Sequence, residues 1–175
     1  MTVSPVLREK VRKRAGFRCQ YCGVTETDSG GELTIDHFKP ESVGGDNNIR
    51  NLVYACFRCN IYKSKFWNDS TASVRLFNPN NDNYEDHFLL SASGVLVGVT
   101  EVGDFTINLL RLNRPELVKK RHDRVLRNEE KEVLKLTKDS VEILKRLTRQ
   151  QREMLEKQQT LLEQQNRLLD ILFKK

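Results

Sequence analysis

The cysteines fall in two Cys-x-x-Cys pairs, Cys19/Cys22 and Cys56/Cys59, separated by a long insertion. Each pair can place two thiolates on one tetrahedral ion, and two pairs arranged in this way form a strong zinc pattern. The competing readings are four free buried thiols or redox-active pairs. A zinc ion with four protein thiolates has no open position, so its expected task is structural. It joins two distant parts of the chain and substitutes for core that a small domain lacks.

The insertion carries a second set of chemical groups. Leu33-Thr34-Ile35-Asp36-His37 is followed by Gly44-Gly45, then by Asn47 through Leu52, and finally by Cys59-Asn60-Ile61-Tyr62-Lys63. Hydrolysis of a phosphodiester needs an activated water, a Lewis acid at the leaving oxygen and cationic groups for the phosphate. His37 can accept a proton near neutral pH. Asp36 is a hard oxygen donor suited to Mg²⁺, and Asn60 adds a neutral one. Neighbours in a strand point to opposite faces. Asp36 and His37 can therefore serve one site only where the strand ends or bends, which Pro40 and the glycines beyond it allow. Lys63 lies four residues after Cys59, on the same helix face. Lys63 and Arg58 are candidates for phosphate contact, against the alternative that they are ordinary surface residues. Arg8, Arg12, Lys13, Arg14 and Arg18 form a denser basic cluster. Arg14 and Arg18 are its candidate nucleic-acid-binding residues, although such runs are often only solvated faces.

Taken together, C-x2-C, D-H, G-G, N-x-x-N-L, C-x-x-C-N and the following lysine resemble the HNH (ββα-metal) endonuclease family, in its four-cysteine zinc-binding subgroup. The resemblance covers residues 14–66. It implies a DNA-cleaving enzyme with structural Zn²⁺ and a catalytic Mg²⁺ or Mn²⁺. By position, His37 is the expected general base, and Asp36 and Asn60 the expected ligands of the catalytic cation. Asn51 is the middle Asn, orienting the base and tying down its loop. Asn60 stands at the final motif position, making this an H-N-N variant. The family context implies bacterial restriction or antiphage (antiviral) defence. A different class, a catalytically silent zinc-stapled nucleic-acid-binding or adaptor subunit, would be expected to lose Asp36, His37, Asn51 and Asn60 first, and all four remain. The block from Arg75 through Pro115 resembles extensions in some bacterial members, and His87 within it is expected to be a hydrogen-bonded structural residue.

The remaining elements must hold these groups in place. The 175 residues allow one compact domain plus an appendage, with 38% hydrophobic residues, 31% charged residues and a net charge of +6. Residues 1–114 carry 14 basic against 13 acidic residues, and residues 115–175 carry 16 against 11. That distribution is compatible with a polyanionic partner. The N-terminus has no apolar export segment and no run is long enough to span a bilayer, so a cytoplasmic location is expected. Ser4, Pro5 and Gly16 bracket a predicted helix over residues 4–16. Short strands are expected at residues 33–36 and 51–55, with a helix opening near Cys56. A hairpin is expected over residues 87–91 and 95–100, and an apolar helix over 105–112. Beyond Pro115 there is no further Gly or Pro, and Leu126, Val133, Ser140, Leu147, Met154, Leu161 and Leu168 recur every seven residues. This amphipathic pattern is capable of coiled-coil pairing.

The expected fold class is thus α+β. A zinc-stapled ββα-metal domain with a hairpin extension occupies residues 1–114. A long helix, residues 115–175, serves homodimerisation or docking to a partner protein.

Overall fold

The computed structural model describes residues 3–68 and 74–173. Helix α1 (Pro5–Arg14) opens on Ser4, whose hydroxyl accepts the Leu7 N–H at 3.3 Å, with Pro5 in the first turn. Arg12, Lys13 and Arg14 fill its last turn, where positive charge complements the helix dipole. Helix α2 (Glu26–Ser29) lies in a polar, glycine-containing stretch to which no element was assigned from the sequence. Its signal is a capping box: Thr25 accepts from the Asp28 N–H while the Asp28 carboxylate accepts from the Thr25 N–H.

Strand β1 (Thr34–His37) pairs antiparallel with β2 (Leu52–Ala55), with Asp36 opposite Val53 and His37 opposite Leu52. All of Leu52, Val53, Tyr54 and Ala55 are buried, so β2 has core on both faces and α1 packs against it through Val11. Helix α3 (Phe57–Lys63) follows at once and takes Cys56 as its N-cap, the sulfur accepting the Cys59 N–H at 3.5 Å. These three elements form the expected ββα unit.

The extension adds a hairpin of β3 (Phe88–Leu90) and β4 (Leu96–Gly98), then α4 (Glu101–Leu109). Helix α4 begins four residues before the expected start at residue 105, because Thr100 caps it by accepting the Gly103 N–H. Gly103 is required there: a Cβ at that position would lie 2.1 Å from the His87 carbonyl oxygen. Helix α5 runs Pro115–Phe173.

The contacts divide the chain into two units, Met1–Val125 and Leu126–Lys175. The division does not coincide with the start of α5, since Leu117 and Arg121 are buried within the first unit. The second unit contains only helix among its described residues, and its apolar side chains are exposed, as with Leu155 at 61% and Leu162 at 60%. No described helix is long and apolar enough to cross a membrane.

Candidate active site and metal centre

The sulfur atoms of Cys19, Cys22, Cys56 and Cys59 all lie within 4.8 Å of one another, and those of Cys22 and Cys56 are 3.6 Å apart. A tetrahedral ion with metal–sulfur bonds of about 2.3 Å places its sulfurs roughly 3.8 Å apart. A disulfide would need about 2.05 Å. The spacing therefore fits one shared ion and not an oxidised pair. Each knuckle folds a backbone amide onto its first sulfur, with Cys22 N–H on Cys19 and Cys59 N–H on Cys56, both at 3.5 Å. Such donors stabilise thiolates. The four cysteines are positioned to bind a metal, and the donor set is that of structural zinc.

Sequence reasoning did not anticipate how the extension supports this centre. Arg111 and Arg114, between α4 and α5, stack on the Tyr62 ring of α3 at 5.0 and 5.9 Å. Burial acts to lower the Arg114 pKa, but the thiolates of Cys59, Cys22 and Cys56 raise it above its ordinary value. Arg114 thus brings positive charge to a sulfur-rich site.

Asp36, His37 and Asn60 line a second site, a cavity of about 410 Å³ that also includes Glu41, Ser64 and Lys65. It lies at the end of β1, where the chain turns through Pro40 into the 3-10 turn Glu41–Val43, so neighbours of opposite orientation both border it. His37 Nε2 is 2.8 Å from Asn47 Oδ1 and 3.8 Å from Glu41 Oε1. The Asn60 amide nitrogen donates to Thr34 Oγ1 at 3.4 Å, and Thr34 in turn donates to the Ala55 carbonyl at 2.8 Å. This orients the Asn60 carboxamide through its nitrogen and leaves its oxygen outside that chain of hydrogen bonds.

Asp36 is 7% exposed, and burial raises its pKa above the ordinary carboxylate value despite the adjacent Lys63 charge. Its Oδ1 accepts from Lys63 Nζ at 3.2 Å, while the buried Oδ2 has no hydrogen-bond partner among the described residues. The Tyr21 hydroxyl is close enough for burial and the Asp36 charge to push its pKa well up, yet it lies outside hydrogen-bond geometry and is also without a partner among the described residues. Asp36 and Asn60 border the same cavity, and a carboxylate with a carboxamide oxygen is a donor set that fits a hard divalent cation.

Asn51 does not touch His37. Its carboxamide accepts the Lys39 N–H at 2.8 Å and donates to the carbonyls of Lys39 and Asp46 at 3.1 and 2.8 Å. It therefore clamps both ends of the loop that presents Asn47 to His37. Gly45 belongs to the same clamp, since a Cβ there would lie 1.8 Å from the Lys39 carbonyl oxygen.

Of the expected phosphate contacts, Lys63 needs correction. Lys63 is 1% exposed, its ammonium held by Asp36 and by the His37 carbonyl at 2.7 Å, so it faces the core and not a phosphate. The Arg14 guanidinium is committed to the carbonyls of Ile49 and Leu52, at 2.7 and 2.5 Å. Arg14 and Arg18 line a cavity different from that of His37. Arg58 is exposed on the first turn of α3. Asn47 went unnoticed because an Asn in an Asn-rich loop carries no signal of its own. His87 is held as a structural residue, its Nδ1 2.7 Å from Thr100 Oγ1 and its ring edge-on to Phe77.

Residues 19–66 match the family model of the HNH endonucleases. The matched segment begins at the first metal-positioned cysteine, includes all four, and ends just beyond Lys65. No curated protein and no solved structure matches the chain. The match supports a nuclease-type function, and with it binding of nucleic acid.

Proposed function

We propose that the chain is a divalent-cation-dependent endonuclease that hydrolyses phosphodiester bonds in DNA. The observation that carries this reading is the convergence of His37, Asp36 and Asn60 on one cavity beside a four-thiolate centre. His37 is the general base. Donation of its Nε2–H to Asn47 Oδ1 leaves Nδ1 to accept a proton from water. Asn47 holds the imidazole, and Asn51 acts on it at one remove by pinning the backbone at Lys39 and Asp46. The Asp36 carboxylate and the Asn60 carboxamide oxygen would hold Mg²⁺ or Mn²⁺, which when bound supplies Lewis acidity at the leaving oxygen. Lys63 fixes the Asp36 carboxylate, and Lys65, exposed at the cavity rim, offers positive charge to the phosphate. Restriction or antiviral defence is the proposed setting, resting on the family resemblance alone.

The test is nicking of supercoiled DNA by zinc-loaded protein with and without added Mg²⁺ or Mn²⁺. His37→Ala is expected to keep its zinc and its melting transition while losing at least 100-fold in rate, the lower end of general-base contributions. Cleavage at the normal rate by that variant would refute the assignment. A wild-type protein that binds DNA but cuts with no cation would favour the adaptor alternative.

For the second unit we propose self-association. Its leucine-rich pairs Met154-Leu155, Leu161-Leu162 and Leu168-Leu169 alternate with Gln151, Gln158 and Gln165 at seven-residue spacing. Polar layers in a helical seam are satisfied by matching amides, and a second copy supplies Gln at every required height. Light scattering tests this; a 20.4 kDa monomer at micromolar concentration would exclude it.

A further inference from the structure

The first unit contains a cavity of about 500 Å³ that includes none of the proposed catalytic residues. Four guanidinium side chains border it, those of Arg14, Arg18, Arg121 and Arg124, together with Tyr21, Phe77 and Tyr84. The acid on its wall, Asp82, does not balance them. Its carboxylate is already engaged by Arg75 at 2.6 and 3.1 Å and by the Asn78 N–H at 2.7 Å. Cys19 and Cys22 of the metal-positioned cluster also line the cavity, and the four guanidinium groups outnumber these two thiolates and the one carboxylate.

Arg121 supplies the second observation. It is 7% exposed, with Nε donating to the Gly94 carbonyl at 2.7 Å and Nη2 to the Leu112 carbonyl and Asn113 Oδ1 at 2.9 and 3.0 Å. Its Nη1 is buried and has no hydrogen-bond partner among the described residues. A buried donor left unpaired is destabilising, the more so when it is charged. An anion in the cavity would remove that cost.

The aromatic side narrows the ligand. Phe77 and Tyr84 meet edge to face at 6.0 Å, and Tyr84 is 39% exposed, so part of its ring remains open. A bare phosphate needs neither an aromatic wall nor this volume. Pockets of roughly 300–1,000 Å³ with apolar walls and a few converging polar groups suit small organic ligands. A planar base against the open part of the Tyr84 ring, with its phosphate on the arginines, satisfies both sides of the cavity.

We infer that this cavity binds a nucleotide, its phosphate on Arg121, Arg18 and Arg124 and its base on the Tyr84 ring, which Phe77 backs from the core. The ligand is either a free nucleoside monophosphate or one nucleotide of a nucleic-acid strand. The second source rests on the nuclease reading, and the first does not. Calorimetry on zinc-loaded, full-length His37→Ala protein keeps binding separate from cleavage. The probes are AMP and dTMP, inorganic phosphate, adenosine, and a ten-nucleotide single strand. Mononucleotides are expected to bind at least tenfold more tightly than phosphate or nucleoside. Tyr84→Ala and Arg18→Gln are each expected to weaken binding at least tenfold, with zinc content and melting unchanged. Arg121→Lys, which keeps a buried cation should Arg121→Met fail to fold, is expected to weaken phosphate-bearing probes and leave adenosine unaffected. Competition between mononucleotide and single strand identifies the strand as the source; independent binding identifies the free nucleotide. No mononucleotide binding at millimolar concentration, or binding indifferent to Tyr84→Ala and Arg18→Gln, would overturn the site and leave Arg121 a purely structural anchor. Because His37→Ala is inactive on the proposed mechanism, failure here leaves the nuclease assignment standing, and failure there leaves this one standing.

Discussion

The segment from Leu33 to Lys65 and the helix beyond Leu126 place charge and apolar surface in opposite ways. In the first, an ammonium and a carboxylate are buried against each other, Lys63 on Asp36, and the apolar strand β2 is wholly enclosed. In the second, the polar groups are solvated and the leucines are the exposed residues. The first region has its partners within the chain. The second, on the proposed self-association, would find them in another copy. Perturbations that separate the two should therefore act on one and spare the other.

Removal of the structural metal is expected to have the largest effect. Zinc contributes about 10–16 kcal/mol in small zinc-dependent folds, comparable with the whole stability of a domain. Cys56→Ser is expected to abolish the cooperative melting of residues 1–125, followed by near-ultraviolet circular dichroism, while the far-ultraviolet helix signal of α5 largely survives. Full retention of the near-ultraviolet signal in that variant would show that the thiolate cluster is not the staple. Next is Lys63→Met, which strands Asp36 in the core. Breaking one side of a buried pair costs about 3–5 kcal/mol, so the denaturant midpoint should fall while self-association is unchanged. A smaller change is expected from Leu162→Lys, which leaves the melting of the first unit intact and weakens self-association at least tenfold, about 1.4 kcal/mol. Sedimentation equilibrium measures it, and an unchanged association constant would remove the proposed seam.

The smallest expected effect concerns acid. Arg12, through Nε and Nη2 at 2.5 and 2.8 Å, and then the Tyr54 hydroxyl hold the Glu26 carboxylate at a pKa of about 2, against an ordinary 4.5. A depressed carboxylate pKa gives stability that is present above the unfolded value and lost as pH falls through the folded one. The difference in stability between wild type and Glu26→Gln should therefore be constant above pH 4.5 and shrink towards zero near pH 2. A difference that does not change over this window would sever Glu26 from the acid response.

What was legible in the sequence follows the same division. Spacing alone paired the four cysteines, because a tetrahedral ion leaves little freedom in where thiolates stand. Ser4, Pro5 and Gly16 marked α1 because caps act over a few residues. The side-chain partners were not legible, because they depend on which atoms meet in space. Lys63 sits at the position expected for a phosphate contact, yet α3 turns it inward onto β1. Asn47 meets His37 only because Asn51 and Gly45 draw the intervening loop closed. Helix α2 was hidden in a polar stretch, its sole mark the Thr25–Asp28 pair.

The Lys63 ammonium gives the fold an independence that its thiolates do not have. Folding already supplies Asp36 with a counterion, so on the proposed mechanism the chain would stay assembled, though idle, where free magnesium or manganese is scarce. Scarcity of zinc offers no such resting state: a chain short of that ion has nothing to take its place between the two knuckles, and proteolysis would be its fate.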